Sequence, residues 1–249
     1  MLQDLVNGKD VPYICTPLTG NNTESLLSEL AVIIPKQPDI IEWRLDFFDD
    51  IDSVDAVILT LEKLHEHGQR IPLLVTIRSQ KEGGQAISLS TEEVVELLCE
   101  MSKSKYVSMV DFELANDPAH IAKLRDVSKQ HNTLLVLSHH NFEKTPPQKE
   151  ILKRLLQMEF YGADIAKVAV MPLHKNDVHA LLEVTKEASE TLEIPVITMS
   201  MGELGAISRV MGWFYGSVVT FAVGEKSSAP GQIPIETLRQ IVHMVKQPS

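Results

Sequence analysis

The sequence predicts an α/β protein, a single (β/α)8 TIM barrel spanning residues 1–249, and three observations carry that prediction. Short runs rich in Val, Ile and Leu alternate eight times with longer segments whose apolar residues recur at helical spacing. The runs are apolar on both faces, as parallel strands covered by crossover helices are. Eight such units in 249 residues match the usual size of a closed barrel. A doubly wound open sheet is the main rival. No strand–helix junction carries G-x-G-x-x-G and no glycine-rich turn follows the first strand, which argues against it.

Each element has its own signal. "YICT" (13–16) is the first strand, and a helix starts near Thr23. "DIIEWRL" (39–45) leads to a helix near Asp52, where Ser53 followed by Asp55 supplies capping chemistry. "PLLVTIR" (72–78) precedes a helix capped at Thr91, with Glu92 and Glu93 in its first turn. "KYVSMVDFE" (105–113) precedes one that starts at Asp117 with Pro118 at the first helical position. "TLLVLSHH" (133–140), "ADIAKVAV" (163–170), "PVITMS" (195–200) and "SVVTFA" (217–222) are followed by helices near Pro147, Asn176, Glu203 and Pro234. The opening dozen residues, with "NGKD" as a turn signal, are expected to form a small N-terminal hairpin closing the barrel bottom. No linker or low-complexity run divides the chain.

Composition excludes several classes of function. The 23 Lys+Arg against 34 Asp+Glu give a formal net charge of -11, a field that repels nucleic acid and anionic membranes. No segment approaches the ~20 apolar residues of a membrane span, and "MLQDLVNGKDVP" lacks a basic start followed by an apolar run. Cys15 and Cys99 lie far apart in apolar segments, with neither a disulfide framework nor metal-ligand spacing. A cytoplasmic protein with buried, inert thiols is expected.

Polar residues gather at the carboxyl ends of the strands, the face where barrel enzymes build their sites. Glu42 and Arg44 end strand two. Arg78 ends strand three with Glu82 beyond it, Asp111 and Glu113 end strand four, and His139 and His140 end strand five. Singly, each has a bland reading: Arg44 pairs with Asp46 at the rim, or Glu42 with Arg78. With Lys167 within strand six and Met199 and Ser200 ending strand seven, convergence from six strands favours a site. Lys167, within strand six, has the sharpest case. An inward lysine is desolvated, which lowers its pKa and frees a nucleophilic amine able to condense with a ketone. His140, on the neighbouring strand, suits the base that then removes a proton. The competing reading of Lys167 is a buried salt bridge to Asp111 or Glu113. Adjacent strand residues face opposite ways, so His139 and His140 are not expected to share the pocket, which argues against a di-histidine metal site. "HEH" (65–67) reads as helix-end surface. No other grouping has metal spacing.

The segments "EWRLDFF", "TIRSQKEGG", "SHHNFEKTP", "GADIAKVAVMP", "SMGELGAISRVMG" and "SSAPGQI" together resemble type I 3-dehydroquinate dehydratase, in order over about residues 10–240. The resemblance implies a usually dimeric barrel of the shikimate pathway, free of metal or organic cofactor, that converts 3-dehydroquinate to 3-dehydroshikimate through a lysine imine. Position by position it makes Lys167 the imine-forming lysine, His140 the general base and acid, and Glu82 the residue that orients it. Glu42, Arg44 and Arg78 grip ring hydroxyls, and Arg209 with Ser228 and Gln232 binds the substrate carboxylate. Asp111 supports the lysine electrostatically, Met201 and Phe221 are apolar pocket residues, and "SAPGQ" lies in a loop that closes over substrate. Many members have "NHDF" where this chain has "HHNF", so His139 and Asn141 change the neighbours of the base. Two alternatives remain: a class I aldolase-like barrel using the same imine, and a non-catalytic barrel binding a polyhydroxy acid.

Overall fold

The computed structural model describes residues 12–226 and 228–246. Its strands are β1 (Tyr13–Leu18), β2 (Ile40–Arg44), β3 (Leu73–Thr76), β4 (Met109–Glu113), β5 (Leu134–Asn141), β6 (Ile165–Val170), β7 (Val196–Ser200), β8 (Val219–Val223) and the two-residue β9 (Ile233–Pro234). The helices that follow β1 to β7 are α1 (Thr23–Ile33), α2 (Val54–His67), α3 (Thr91–Lys103), α4 (Pro118–Gln130), α5 (Gln148–Phe160), α6 (Lys175–Thr191) and α7 (Gly202–Met211); α8 (Ile235–Lys246) follows β9. The eight expected strand–helix units are thus present in order. β9, an addition to β8, is not foreseen by the apolar pattern because two residues carry no period. The expected N-terminal hairpin falls on residues 1–11 and lies outside the described residues.

All pairings are parallel, in the order β7-β6-β5-β4-β3-β2-β1-β8-β9. The ring closes between β7 and β8 through a parallel bridge from Val196 to Ser217, with Val218 N donating to Val196 O at 3.0 Å. This seam is the short one, and a side chain completes it: Thr198 N donates to Ser217 Oγ at 3.0 Å. A buried N–H that the ladder does not serve needs such a partner.

Strand alternation sorts the core into two bodies. Positions such as Ile41, Trp43, Val75, Val110, Leu137, Val168 and Val170 face outward and pack with the helices. Tyr13, Cys15, Ile40, Leu74, Met109, Val136, Ile165, Ile197 and Val219 fill the barrel interior. Two or four residues beyond these interior positions, on the same face, come Glu42 and Arg44, Asp111 and Glu113, Ser138 and His140, and Lys167. An apolar floor therefore carries a polar ceiling at the carboxyl ends.

Helix starts follow capping chemistry. Ser53 and Asp117 cap α2 and α4 as expected, but α3 is capped one residue earlier than Thr91. Ser90 Oγ accepts from Glu93 N at 3.2 Å and Glu93 Oε2 accepts from Ser90 N at 2.8 Å, a reciprocal box that needs the glutamate three residues after the cap. The "HEH" stretch is only partly surface: His65 stacks on Tyr106 with ring centroids 4.2 Å apart. Both cysteines are free and buried. Among the described residues no helix is long and apolar enough to cross a membrane.

Packing predicts a contrast between two substitutions. Leu98→Ala on α3, wholly buried, is expected to cost about 2–5 kcal/mol in denaturant unfolding. Val32→Ala on α1, 41% exposed, is expected to stay within about 0.5 kcal/mol. Equal losses would contradict the assignment of the outer core.

Candidate active site

Lys167 projects from the middle of β6 into the barrel and is only 3% exposed. Its Nζ donates to Asp111 Oδ2 at 3.0 Å, lies 3.7 Å from Glu42 Oε1 and sits 4.5 Å from the Phe221 ring centroid. The salt bridge to Asp111 that the sequence offered as an alternative is therefore present. Glu113, its other suggested partner, is engaged elsewhere, accepting from Arg78 Nη1 at 3.1 Å and Ser79 N at 2.8 Å.

Arg78, just past β3, is the hub of this layer. Its Nη2 donates to Asp111 Oδ1 at 2.7 Å, and its Nη1 donates to Ser138 Oγ at 2.9 Å. Burial pulls its pKa down, but Asp111 and Glu113 more than offset that and raise it. Burial likewise pushes Asp111 up, while Arg78 and Lys167, with a hydrogen bond from Ser138, bring it to about 2. Ser138 Oγ donates to Asp111 Oδ1 at 2.6 Å. The suggested Glu42–Arg78 pair is replaced by this arrangement: Glu42 instead accepts from Thr76 Oγ1 at 2.9 Å and faces Lys167. The Arg44–Asp46 pair is real but buried, a fork of 2.7 and 2.8 Å. Asp46 also accepts from Arg78 N at 3.3 Å and Gln85 N at 3.0 Å, so it ties β2 to the turn after β3.

That turn (Gln80–Glu82) delivers Glu82 to β5. Glu82 Oε2 takes hydrogen bonds from His140 N and His140 Nδ1, each 2.9 Å. With Nδ1 donating, Nε2 is the imidazole nitrogen left with a lone pair, an assignment inferred from this bond. Burial, then the nearby Arg78, pushes the His140 pKa well below the ordinary histidine value, with Glu82 opposing. Burial raises Glu82, and hydrogen bonds from His139 and His140 outweigh it, leaving it below the usual carboxylate range. The alternation argument holds in one respect, because β5 runs through Asn141 and only His140 of the pair lines the pocket. It misses another. His139 Nδ1 reaches to 3.3 Å of Glu82 Oε1 from the other face.

Arg209 comes from α7 and is 2% exposed. Its Nη2 donates to Pro230 O at 3.0 Å and its Nη1 to Phe221 O at 3.3 Å, while Nε is buried with no partner. Among the described residues no carboxylate forms an ion pair with it. Burial alone lowers its pKa to about 10. Ser228 and Gln232 brace the loop after β8, with Ser228 N donating to Gln232 Oε1 at 3.1 Å and Gln232 Nε2 to Ser228 Oγ at 3.2 Å.

One pocket is lined by Glu42, Arg44, Arg78, Glu82, His140, Lys167, Met201, Arg209, Phe221, Ser228 and Gln232. Asp111 lies beneath it, in contact with Lys167. Every residue to which the resemblance gives a role thus lines that pocket or, for Asp111, touches Lys167 beneath it, while Glu113 and His139 stand outside the lining. Gly83, Phe142, Ala169, Met199 and Ala229 complete the lining. Gly83 has φ +86°, in the left-handed region that favours glycine, and an added Cβ would stand 2.4 Å from the Phe142 ring, which would have to move. Ser138 and Asp46 are not among the site residues that the sequence points to. The step of two from His140 places Ser138 on the inner face, but nothing in the sequence marks its bonds. Among the described residues no three His, Cys, Asp or Glu side chains form a group able to hold a metal ion.

Fold and pocket together define a barrel with an ion-paired lysine, a histidine–carboxylate pair and an uncompensated guanidinium around one cavity. Residues 14–249 match the family model for type I 3-dehydroquinase. The chain is 50% identical over 240 residues to the 3-dehydroquinate dehydratase of Geobacillus sp. (strain WCH70), covering 96% of this chain and 92% of that protein. It superposes on the crystal structure of 3-dehydroquinate dehydratase from Geobacillus kaustophilus HTA426 with a TM-score of 0.94, at 46% identity, covering 96% of this chain and 92% of that one. It also matches the Clostridium difficile type I 3-dehydroquinate dehydratase structure described as carrying covalent modified comenic acid, with a TM-score of 0.92 at 36% identity, covering 96% and 94% of the two chains. The chain belongs to the type I 3-dehydroquinase family.

The Asp111 site predicts an acid signature. Its folded pKa of about 2 lies below the ordinary 3.8, so the stability it contributes is present above 3.8 and is lost as pH falls toward 2. Thermal unfolding of Asp111→Asn is expected to depend less steeply on pH than the parent across that window. Parallel slopes would contradict the assignment.

Proposed function

We propose that this chain is a cofactor-independent hydro-lyase that dehydrates 3-dehydroquinate to 3-dehydroshikimate in the shikimate pathway through an imine on Lys167. The observation that carries the reading is one pocket lined by a buried amine, a histidine whose pKa burial lowers and a guanidinium lacking an acid partner. A buried unpaired cation calls for an anion, and the substrate carboxylate supplies it. Arg209 accordingly binds that carboxylate, aided by Ser228 and Gln232. Glu42, Arg44 and Arg78 take the ring hydroxyls, and Met201 and Phe221 form the apolar wall.

In this reading the Lys167 ammonium gives up a proton so that its amine can add to the C3 ketone, and loss of water with return of that proton gives an iminium that draws electrons from C2. His140 Nε2 removes the C2 proton, and the pair left behind becomes an enamine. That pair then expels the C1 hydroxyl as the C1–C2 double bond forms, His140 returning its proton to the departing oxygen. Hydrolysis of the iminium restores the ketone and the lysine. One water is consumed and two are released, a net loss of one from substrate. Glu82 holds the His140 ring and stabilises its charged form, and Asp111 steadies the nitrogen cation before and after condensation. The covalent modified comenic acid described for the Clostridium difficile protein is in keeping with covalent chemistry in this family.

We further propose that residues 1–249 act as one catalytic domain, as a homodimer in the cytoplasm. Exposed Leu204 and Ile207 on α7, with Phe214 beyond it at 69% exposure, support self-association, and two unpaired buried cysteines suit a reducing compartment.

The test is dehydration of 3-dehydroquinate, followed by the ultraviolet absorption of the conjugated product. Lys167→Ala should abolish turnover, and substantial residual activity would overturn the imine step. His140→Ala should lower kcat by about 10²–10⁴-fold. Arg209→Ala should raise KM by about 10–100-fold, the scale of a lost hydrogen bond to a charged group. With the His140 pKa depressed, the base stays unprotonated as pH falls through the ordinary histidine range. The acid limb of kcat/KM should therefore lie below pH 6.5, the ordinary value; a limb above it would contradict the base assignment.

A further inference from the structure

The stretch "SHHNF" places two histidines side by side on β5, and Glu82 meets both. Its Oε2 takes two N–H groups of His140, from the backbone and from the ring, each at 2.9 Å. Its Oε1 faces His139 Nδ1 at 3.3 Å. The other cation near the carboxylate, Arg78, stands 3.8 Å from Oε2 and is committed to Asp111 and Glu113. His139 is therefore the group that addresses the second oxygen.

The geometry points to His139 as a positioning residue for the base: its Nδ1 pins Glu82 Oε1, which fixes Oε2 on His140 and keeps the His140 lone pair aimed into the pocket. The inference rests on the dehydratase reading of that pocket. A glutamate's terminal torsion is broad, so a carboxylate held through one oxygen swings about it, and a contact on the second oxygen sets its plane. The surroundings of His139 define which nitrogen donates. Its Nε2 is buried and has no partner. A proton there would be an unsatisfied buried donor, so the ring hydrogen belongs on Nδ1, toward Glu82. His139 pairs in register with Val168 on the outward face of the sheet. It touches neither the pocket nor the reacting atoms and acts through Glu82. Supporting contacts of this kind hold a catalytic group in its productive orientation.

The decisive variants are His139→Phe, which keeps a ring and removes the donor, and His139→Asn, whose amide nitrogen can occupy the place of Nδ1. In His139→Phe, kcat should fall by about tenfold or more, the usual scale for losing a supporting contact. KM and the rate at which borohydride traps substrate on Lys167 should stay within about twofold, because neither depends on the proton transfer. His139→Asn should recover most of the loss. An unchanged kcat in a folded His139→Phe, no rescue by Asn, or an equal fall in imine trapping would overturn the proposal. Nitrogen-15 shifts of labelled histidine give a readout independent of turnover. His140 should hold a single Nδ1–H tautomer in the parent and in His139→Asn and lose it in His139→Phe; an unchanged tautomer in His139→Phe would overturn the role. A parent protein that leaves 3-dehydroquinate unconverted refutes the dehydratase reading instead, and these shifts still decide what His139 does to His140.

Discussion

Asp111 accepts from Arg78 on one oxygen and from Lys167 on the other, at 2.7 and 3.0 Å, inside the barrel. Much of the polar layer depends on that arrangement. Desolvated cations are costly unless paired and hydrogen-bonded. A single carboxylate, itself braced by Ser138, serves both. Removing it would leave a guanidinium and an ammonium to repel each other in a medium that screens poorly. Its satisfaction lets Glu113 hold the backbone of Ser79 and Asp46 hold that of Arg78 and Gln85, which orders the turn that presents Glu82.

The same economy separates the roles of the cations. Arg44 is neutralised by the Asp46 fork, Arg78 by Asp111 and Glu113, and Lys167 by Asp111 with Glu42 nearby. Of the cations that line the pocket, Arg209 alone has carbonyl partners and no ion pair among the described residues, with an idle Nε. A negative charge arriving in the pocket thus has one cation waiting without a competitor. Histidine and lysine are held differently. Burial and Arg78 keep the His140 ring neutral and ready to take a proton, while Lys167 retains its acid partner until substrate arrives. The salt-bridge and nucleophile readings of Lys167 are therefore compatible: the first describes the resting pocket and the second its use.

The fold was legible because a parallel barrel announces itself by doubly apolar strands at regular spacing, and all eight were readable from "YICT" to "SVVTFA". Much of the site was legible by a second period. The alternation that buries Ile165 inside the barrel also turns Lys167 inward, and the one that buries Val136 does the same for His140. Long-range pairings were not. Asp46 looks like a rim partner of Arg44, and its grip on the turn after β3 depends on a contact 39 residues away in sequence to Gln85. The rule of opposite faces keeps His139 out of the pocket, but it governs where a side chain starts and not how far a ring reaches at the end of a sheet, so its contact with Glu82 was not legible. The α3 cap moved by one residue because Ser90 and Thr91 both suit the position, and the spacing to Glu93 decides between them.

The most direct test of the central claim is peptide mass spectrometry after mixing the protein with 3-dehydroquinate and sodium borohydride, which reduces an imine to a stable amine. The account predicts an adduct on the peptide that contains Lys167 and on no other lysine. Catalytic turnover with no adduct, or an adduct at a different lysine, would contradict it.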